Sequence, residues 1–505
     1  MNAVARQSGQ VLSDLLDGFG RVAPPHDRRI RGLCTDSRSA CGGDLFLAYP
    51  GVNRHGGDHI REAIRAGAVA IALDADYDRP TSSAGLIPIV WVPRLRSCVG
   101  EIAARFYTHP SRHLLAIGVT GTNGKTSVAH TIARVLDRAG NTGPCGIMGT
   151  LGWGGVDDLT PATHTTPDAV TIQRQLADLR ALQARSVVLE VSSHGLDQGR
   201  VAGVEFAVAV FTNLSRDHLD YHGDMGAYGE AKKLLFQWPG LRAAVLNLDD
   251  AFCQAISADL AADVRVFGYT LNGSRSPENE CIVGSALRLH DRGLSLRIRV
   301  GRQTAEIESP LLGRLNAYNL LASLGALLAV GVTLEEAARE LASVGPVPGR
   351  MERIPAGPGS PLVIVDYAHT PDGLDQALIA LRRIRAGKLF CIFGCGGERD
   401  AGKRPLMGRI AEALADCVIL TTDNARHEDP AAIVKDIRSG MNDPDRARSE
   451  PDRARAIASA IEQATENDTV LIAGKGHEDY QDNGGVRRPY SDRQMVMQIL
   501  RGAKL

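Results

Sequence analysis

Short apolar runs recur along the chain, most of them followed by a polar, glycine-bearing loop and then by helical spacing. Before residue 110 the runs at 44–48 and 87–92 surround a helix-like stretch near 59–67, which predicts a small α/β domain. From 111 to 346, runs suited to buried parallel strands stand at 114–119, 187–191, 206–211 and 243–246, separated by helical patterns. A helical pattern over 316–330 stops at Gly331, and the proline- and glycine-rich segment 344–349 reads as a linker. Beyond it, runs at 362–365, 389–393, 417–420 and 469–473 alternate with helical spacing, and the polar stretch 441–455 reads as an exposed loop. The expectation is an α/β fold of three domains: a small N-terminal α/β domain at 1–110, a central, mainly parallel sheet domain at 111–346, and a C-terminal Rossmann-like domain at 347–505.

Gly121-Thr122-Asn123-Gly124-Lys125-Thr126 lies between the run at 114–119 and a stretch whose apolar residues fall at Val128, Ile132, Val135, Leu136 and Ala139. That order predicts strand, phosphate loop and helix. Glycines let the backbone wrap a polyphosphate, amides at the helix start donate to it, Lys125 meets its outer oxygens, and Thr126 can hold a magnesium ion. A strict phosphate-loop pattern wants glycine where Val119 stands; Gly118 is one residue early.

Composition adds bounds. Of 505 residues, 57 are basic and 58 acidic, a formal charge of −1 that favours neither nucleic acid nor an anionic membrane. Nine scattered cysteines, odd in number, argue against a disulfide framework or a zinc site. No apolar run reaches the roughly 18 residues of a membrane span, and the start lacks a signal core, so the cytoplasm is the expected compartment.

In open parallel sheets ligands bind beyond the carboxyl ends of the strands, so the loops after each run carry the chemistry. Glu190 lies inside the apolar run 187–191, where a carboxylate at a strand end needs a cation or donors. The segment 212–223, dense in possible metal ligands, follows the next; spacing does not choose among His194, His218 and His222. Lys232 shares a helix face with Tyr228, Ala231 and Leu235, and on spacing alone it reads as a lysine with a buried stem and a solvated head. In the last third, Asp366 to Pro371, Gly394 to Asp400, Asp423 to Pro430 and Gly474 to Glu478 follow successive runs. Arg399, Arg426 and Glu478 would then project from neighbouring strand ends, a charge set suited to a zwitterionic small molecule.

Together these motifs resemble the Mur ligases, ATP-dependent enzymes that add amino acids to peptidoglycan precursors, and among them the diaminopimelate-adding members. The resemblance runs from Thr35-Asp36-Ser37-Arg38 through the phosphate loop, with its offset glycine, to Gly474–Tyr480. It implies that a UDP-binding first domain and the edge of the central sheet hold UDP-N-acetylmuramoyl-L-alanyl-D-glutamate through Ser37, Asn53, Thr165, Thr166, Ser192, Gln198 and Arg200. It implies ATP contacts from Gly121, Thr122, Asn123, Gly124, Lys125, Thr126, Asn319, Arg350, Asp366 and His369. Magnesium would be shared by Thr126, Glu190, His218 and Lys232, the last as a carbamate (N6-carboxylysine); Lys125, Lys232, His218 and Glu190 would be catalytic. Diaminopimelate would meet Arg399, Asp423, Asn424, Arg426, Gly474 and Glu478.

The implied chemistry has two steps. The D-glutamyl side-chain carboxylate attacks the γ-phosphate, and the amine of meso-diaminopimelate then displaces phosphate from the acyl phosphate. In diaminopimelate-adding relatives the loop that grips the distal carboxylate reads Asp-Asn-Pro-Arg; here Ala425 replaces its proline and Arg426 is kept. An L-lysine-adding homologue, a folylpolyglutamate synthetase-like ligase and a non-ligase nucleotide switch are the competing readings. A monomer with small-molecule substrates only is expected.

Overall fold

The computed structural model describes residues 9–51, 54–78, 87–139, 142–273, 281–384 and 386–502. The chain divides into two compact units, one of Met1–Thr120, Leu136–Ala209 and Leu234–Arg242, the other of Gly121–Val135, Val210–Lys233 and Ala243–Leu505.

In the first unit, Gly32–Cys34, Asp44–Ala48, Ala70–Asp74 and Ile89–Val92 form a four-stranded parallel sheet in chain order. Leu45 and Leu47 face one core with helix Leu95–Phe106, whereas Phe46 and Ala48 face another with Ile60 and Ala63. The two-residue alternation, apolar on both sides, is why these strands read as continuous apolar runs. A further group of strands runs in the order Asp158–Thr160, Gly152–Gly155, Cys145–Gly149, Ser186–Glu190, Leu115–Thr120, parallel across the last three. Glu190 is paired with Val119 there, which sets its carboxylate at the carboxyl edge.

The second unit holds the phosphate-loop helix from Lys125 and parallel strands Ala243–Asn247, Arg265–Thr270 and Ile282–His290. An antiparallel meander of Ile282–His290, Gly293–Val300 and Gln303–Ser309 follows, which the sequence reading did not separate from the surrounding α/β pattern. Its strands alternate apolar and charged residues, as in Leu294, Leu296 and Ile298 against Arg297 and Arg299, because one face meets solvent.

The remaining strands, Glu352–Ile354, Leu362–Asp366, Thr469–Ala473, Leu389–Phe393, Cys417–Leu420 and Ala447–Ser449, form a six-stranded sheet in that order, parallel except for the first. Ile364, Cys391, Leu420 and Leu471 pack under helices that carry Leu374, Leu378 and Met407; Val363, Ile392, Val470 and Ile472 pack on Ile457, Ala460 and Val496. The stretch 441–455 is therefore not a plain exposed loop. It supplies an edge strand and buries Arg453 in a bidentate pair with Asp492, both bonds 2.8 Å. A small hairpin, Tyr480–Asn483 with Val486–Pro489, closes over this sheet's edge loops. Among the described residues no helix is long and apolar enough to cross a membrane.

Candidate functional site

The phosphate loop is held rigid by the loop after Phe206–Phe211. Thr212 Oγ1 and Asn213 Nδ2 donate to the Asn123 carbonyl at 2.6 and 3.0 Å, and the Asn123 amide donates to Asn213 Oδ1 at 2.9 Å. Gly121 has φ +147°, and a Cβ there would meet Thr212 Oγ1 at 1.9 Å, so only glycine allows this approach. Lys125 Nζ lies over the loop and donates to the carbonyls of Gly121 and Thr122. Arg350 Nη2 donates to Thr126 Oγ1 at 3.1 Å while its guanidinium stacks 4.1 Å from the Tyr367 ring. Thr126, Asn319, Arg350 and Asp366 line one cavity of about 450 Å³ with Asn123 and Gly124. Asp366 accepts from the amides of Met351 and Ala368; burial raises its pKa, an effect those bonds and Arg350 oppose. An anion-cradling loop with a cavity beside it is suited to a nucleoside triphosphate.

Lys232 does not carry the solvated head that was expected of it. The side chain is 1 % exposed, with Nζ donating to the Gly121 carbonyl at 2.8 Å and lying 4.3 Å from the Tyr228 ring centre. Helix Met225–Lys233 packs this face inward, so there is no water for the head to reach. Burial, and then the neighbouring Lys125 charge, push its pKa well below the lysine range, against the opposing pull of Asp217. A neutral, buried amine is the form that can take up CO2.

His218 adopts a left-handed conformation, φ +54°, uncommon for a non-glycine residue. Its Nε2 lies 3.4 Å from Asp217 Oδ2, as does His369 Nε2, and Lys403 Nζ lies 3.8 Å from Asp217 Oδ1. Burial alone would raise the Asp217 pKa, but His369, His218 and Lys403 hold it well below the usual carboxylate range. Lys403 was missed by sequence reasoning; Asp217 lay within the ligand-dense segment 212–223 and Tyr228 on the helix face of Lys232, but neither was singled out for a role. Among the described residues no group of three or more His, Cys, Asp and Glu side chains forms a metal site. Near Thr126 and His218, anionic oxygen is available from the Asp217 carboxylate, and a carbamate on Lys232 would supply another. Burial, which disfavours the charged form of the amine, suits that modification.

In the first unit, Glu190 is 1 % exposed and accepts from Thr150 N at 2.8 Å and Thr150 Oγ1 at 3.0 Å. Thr150 Oγ1 also shares a hydrogen bond with Thr165 Oγ1, and Thr166 Oγ1 donates to the Glu190 carbonyl. Arg200 donates to Gln198 Oε1 through Nε and Nη2 and to the Thr166 carbonyl through Nη1. Ser192 Oγ caps the turn beginning at Ser193. Thr165, Thr166, Ser192, Gln198 and Arg200 are thus one network with Glu190. Ser37 Oγ donates to Glu62 on the short helix Ile60–Arg65 beside the small sheet. The Tyr49 phenol, raised in pKa by burial and by Asp168, bonds Thr35 and feels the Arg200 charge; the sequence reading missed it. Asn53 lies outside the described residues.

Strands Thr469–Ala473, Leu389–Phe393 and Cys417–Leu420 are neighbours, so Glu478, Arg399 and Arg426 do leave adjacent strand ends. Asn424 Nδ2 donates to Glu478 Oε2 at 2.8 Å. Gly474, φ +111°, would drive a Cβ to 2.6 Å from Asp423 Oδ2. Arg426, φ +51°, donates through its side chain to the Gly397 carbonyl, and its backbone N–H donates to Asp482 O at 3.0 Å. Exposed Arg399 stands two residues beyond Gly397 on the same turn. At the position of the missing proline, the Ala425 N–H donates to the Asp423 carbonyl, and the residue is buried.

Comparison with known proteins gives this arrangement a family. Residues 29–107 match the description "Mur ligase family, catalytic domain", 119–327 "Mur ligase middle domain" and 349–476 "Mur ligase, glutamate ligase domain". A UDP-N-acetylmuramoyl-L-alanyl-D-glutamate–2,6-diaminopimelate ligase of Ectopseudomonas mendocina is 51% identical over 92% of this chain and 93% of its own. Its counterpart in Pseudomonas aeruginosa is 50% identical, over 92% and 94%. A solved structure of a ligase of that same name superposes with a TM-score of 0.69 at 36% identity, covering 98% of this chain and 99% of the other. The chain belongs to the Mur ligase family. Its fold is that family's mixed α/β, three-domain class, and it is an ATP-dependent ligase.

Proposed function

We propose that this protein joins meso-diaminopimelate to UDP-N-acetylmuramoyl-L-alanyl-D-glutamate at the expense of ATP, in the cytoplasm, as a step of peptidoglycan precursor synthesis. The observation that carries the amino-acid assignment is that the loops at the carboxyl ends of three successive strands bring Arg426 and Arg399 to the same sheet edge as Asp423, Asn424 and Glu478, the last two joined by a hydrogen bond, in a chain half identical to ligases of that name. A guanidinium opposite carboxylates is matched to a distal centre bearing both a carboxylate and an ammonium. An L-lysine substrate would leave the guanidinium unpaired, at a cost of about 1–3 kcal/mol.

ATP lies against the phosphate loop, with Lys125 and Arg350 countering phosphate charge and Asn319, Asp366 and His369 beside the nucleotide. The network of Thr165, Thr166, Ser192, Gln198 and Arg200, with Ser37 and Asn53, holds the UDP-linked acceptor. Thr126, His218 and carbamylated Lys232 would hold magnesium, which would supply charge neutralisation between carboxylate and phosphate. The D-glutamyl carboxylate attacks the γ-phosphorus, the bond to ADP breaks, and an acyl phosphate results. The neutral amine of diaminopimelate then attacks the acyl carbon; phosphate leaves, the amine proton is lost, and an amide remains. Arg399, Arg426, Asp423, Asn424, Gly474 and Glu478 orient that amine. The working division of the chain is 1–110 for the UDP-linked substrate, 111–346 for ATP and 347–505 for the amino acid, and the working state is a monomer.

The test is phosphate release with product identified by mass spectrometry, with diaminopimelate and L-lysine in parallel. Release that requires both the UDP-linked dipeptide and diaminopimelate is expected. Nucleotide turnover independent of both would favour a switch, and efficient lysine addition would overturn the amino-acid assignment.

A further inference from the structure

Lys475 stands between two glycines in the loop after strand Thr469–Ala473, and its side chain is 0 % exposed. Its Nζ donates to Asn424 Oδ1 at 3.0 Å and to Glu478 Oε2 at 2.8 Å, and it lies 3.9 Å from Asp423 Oδ1. The Tyr480 ring covers it at 5.5 Å. A buried ammonium persists only where partners replace its water, and here the partners are three residues assigned to the amino acid.

The bonds orient each partner. Asn424 Oδ1 accepts from both Lys475 Nζ and the Asp482 N–H, which fixes the amide so that Nδ2 faces Glu478 Oε2. Glu478 Oε2 is thereby taken by two donors, which leaves Oε1 outside this set. Asp423, Glu478 and Lys475 carry formal charges that sum to −1, complementary to one arriving ammonium, and Arg426 on the same sheet edge adds one positive charge for a carboxylate. Without Lys475 the same pocket would hold two carboxylates with no cation between them, and Asn424 would lose one of the two donors that fix its amide.

We infer that Lys475 is a positioning residue which, without touching substrate, aligns Asn424 and Glu478 and so sets selectivity for an amino acid carrying an ammonium beside a carboxylate. The inference rests on the diaminopimelate reading above. Three variants test it: Lys475→Met, Glu478→Gln and the double mutant, with KM measured separately for diaminopimelate, ATP and the UDP-linked dipeptide. Lys475→Met should raise the diaminopimelate KM at least about tenfold while the other two stay within about twofold, and the double mutant should be no worse than Glu478→Gln alone. A purely structural lysine would instead move all three KM values together or add its effect to that of Glu478→Gln; either result overturns the inference. Should Lys475→Met not fold, Lys475→Arg keeps the charge but not the geometry. It should raise the diaminopimelate KM alone, and an unchanged value counts against us. If the wild type adds a different amino acid, the substrate reading fails by itself, and the same cycle with that amino acid decides the role of Lys475.

Discussion

Arg426 is aimed by backbone rather than by rotamer alone, because its left-handed φ of +51° turns the side chain toward Gly397 while hairpin residue Asp482 holds its N–H. Arg426→Ala is predicted to raise the diaminopimelate KM about 10–100-fold and leave the ATP KM within about twofold, as steady-state kinetics would report. Equal effects on both would remove its assigned role. Lys232 is the residue whose sequence reading and environment disagree most. Helical spacing put it on an inward face but says nothing of whether a flexible four-carbon stem reaches water. Lys232→Ala is predicted to lower turnover by about a thousandfold, with partial recovery on adding short carboxylates. Full activity of the variant would exclude a carbamate from catalysis.

At the scale of elements, the Arg453–Asp492 pair ties the start of helix Arg453–Gln463 to helix Asp492–Leu500, and Arg453 Nη2 also donates to the Ala473 carbonyl just before Gly474. Both side chains are fully buried. Arg453→Met strands the Asp492 carboxylate and should destabilise the protein by about 3–5 kcal/mol, whereas apolar replacement of both should recover most of that loss in the same denaturation assay. This pair was illegible beforehand because a polar stretch reads as solvated unless its partner, about 40 residues on, is known to fold against it. The strands were legible for the opposite reason. Runs such as Leu389–Phe393 and Thr469–Ala473 are apolar on both faces, and a parallel sheet covered on both sides is the architecture that requires this. The meander at 282–309 was missed because its strands are long and half-exposed, so charged residues interrupt the apolar signal.

At the scale of the molecule, acid should be a weakness. Burial, then nearby positive charges, push His130 and His477 from 6.5 down to about 3, and these histidines belong to the helix after the phosphate loop and to the Gly474 loop. Between those two values the unfolded chain binds a proton that the folded chain does not, so stability is lost as pH falls through this window, by about 1.4 kcal/mol per pH unit for each group. Denaturation midpoints should therefore drop from pH 7 to pH 5, and His130→Gln should make the drop shallower; an unchanged slope would show that His130 is not the neutral group.

By itself the sequence determined the alternation of strand and helix, the phosphate loop, the strand-end loops that carry chemistry, and a likeness to Mur ligases on which the amino-acid assignment drew. These are local: a glycine pattern, an apolar run or a short motif keeps its meaning wherever the chain goes. Only the tertiary structure decided that Lys232 is buried, with its charged form disfavoured, that Asp217 collects His218, His369 and Lys403, that Arg453 is paired, and that Lys475 braces Asn424 and Glu478. Each depends on which charges are brought together and which are cut off from water, and electrostatic energies are set by distance and dielectric in three dimensions, not by separation along the chain.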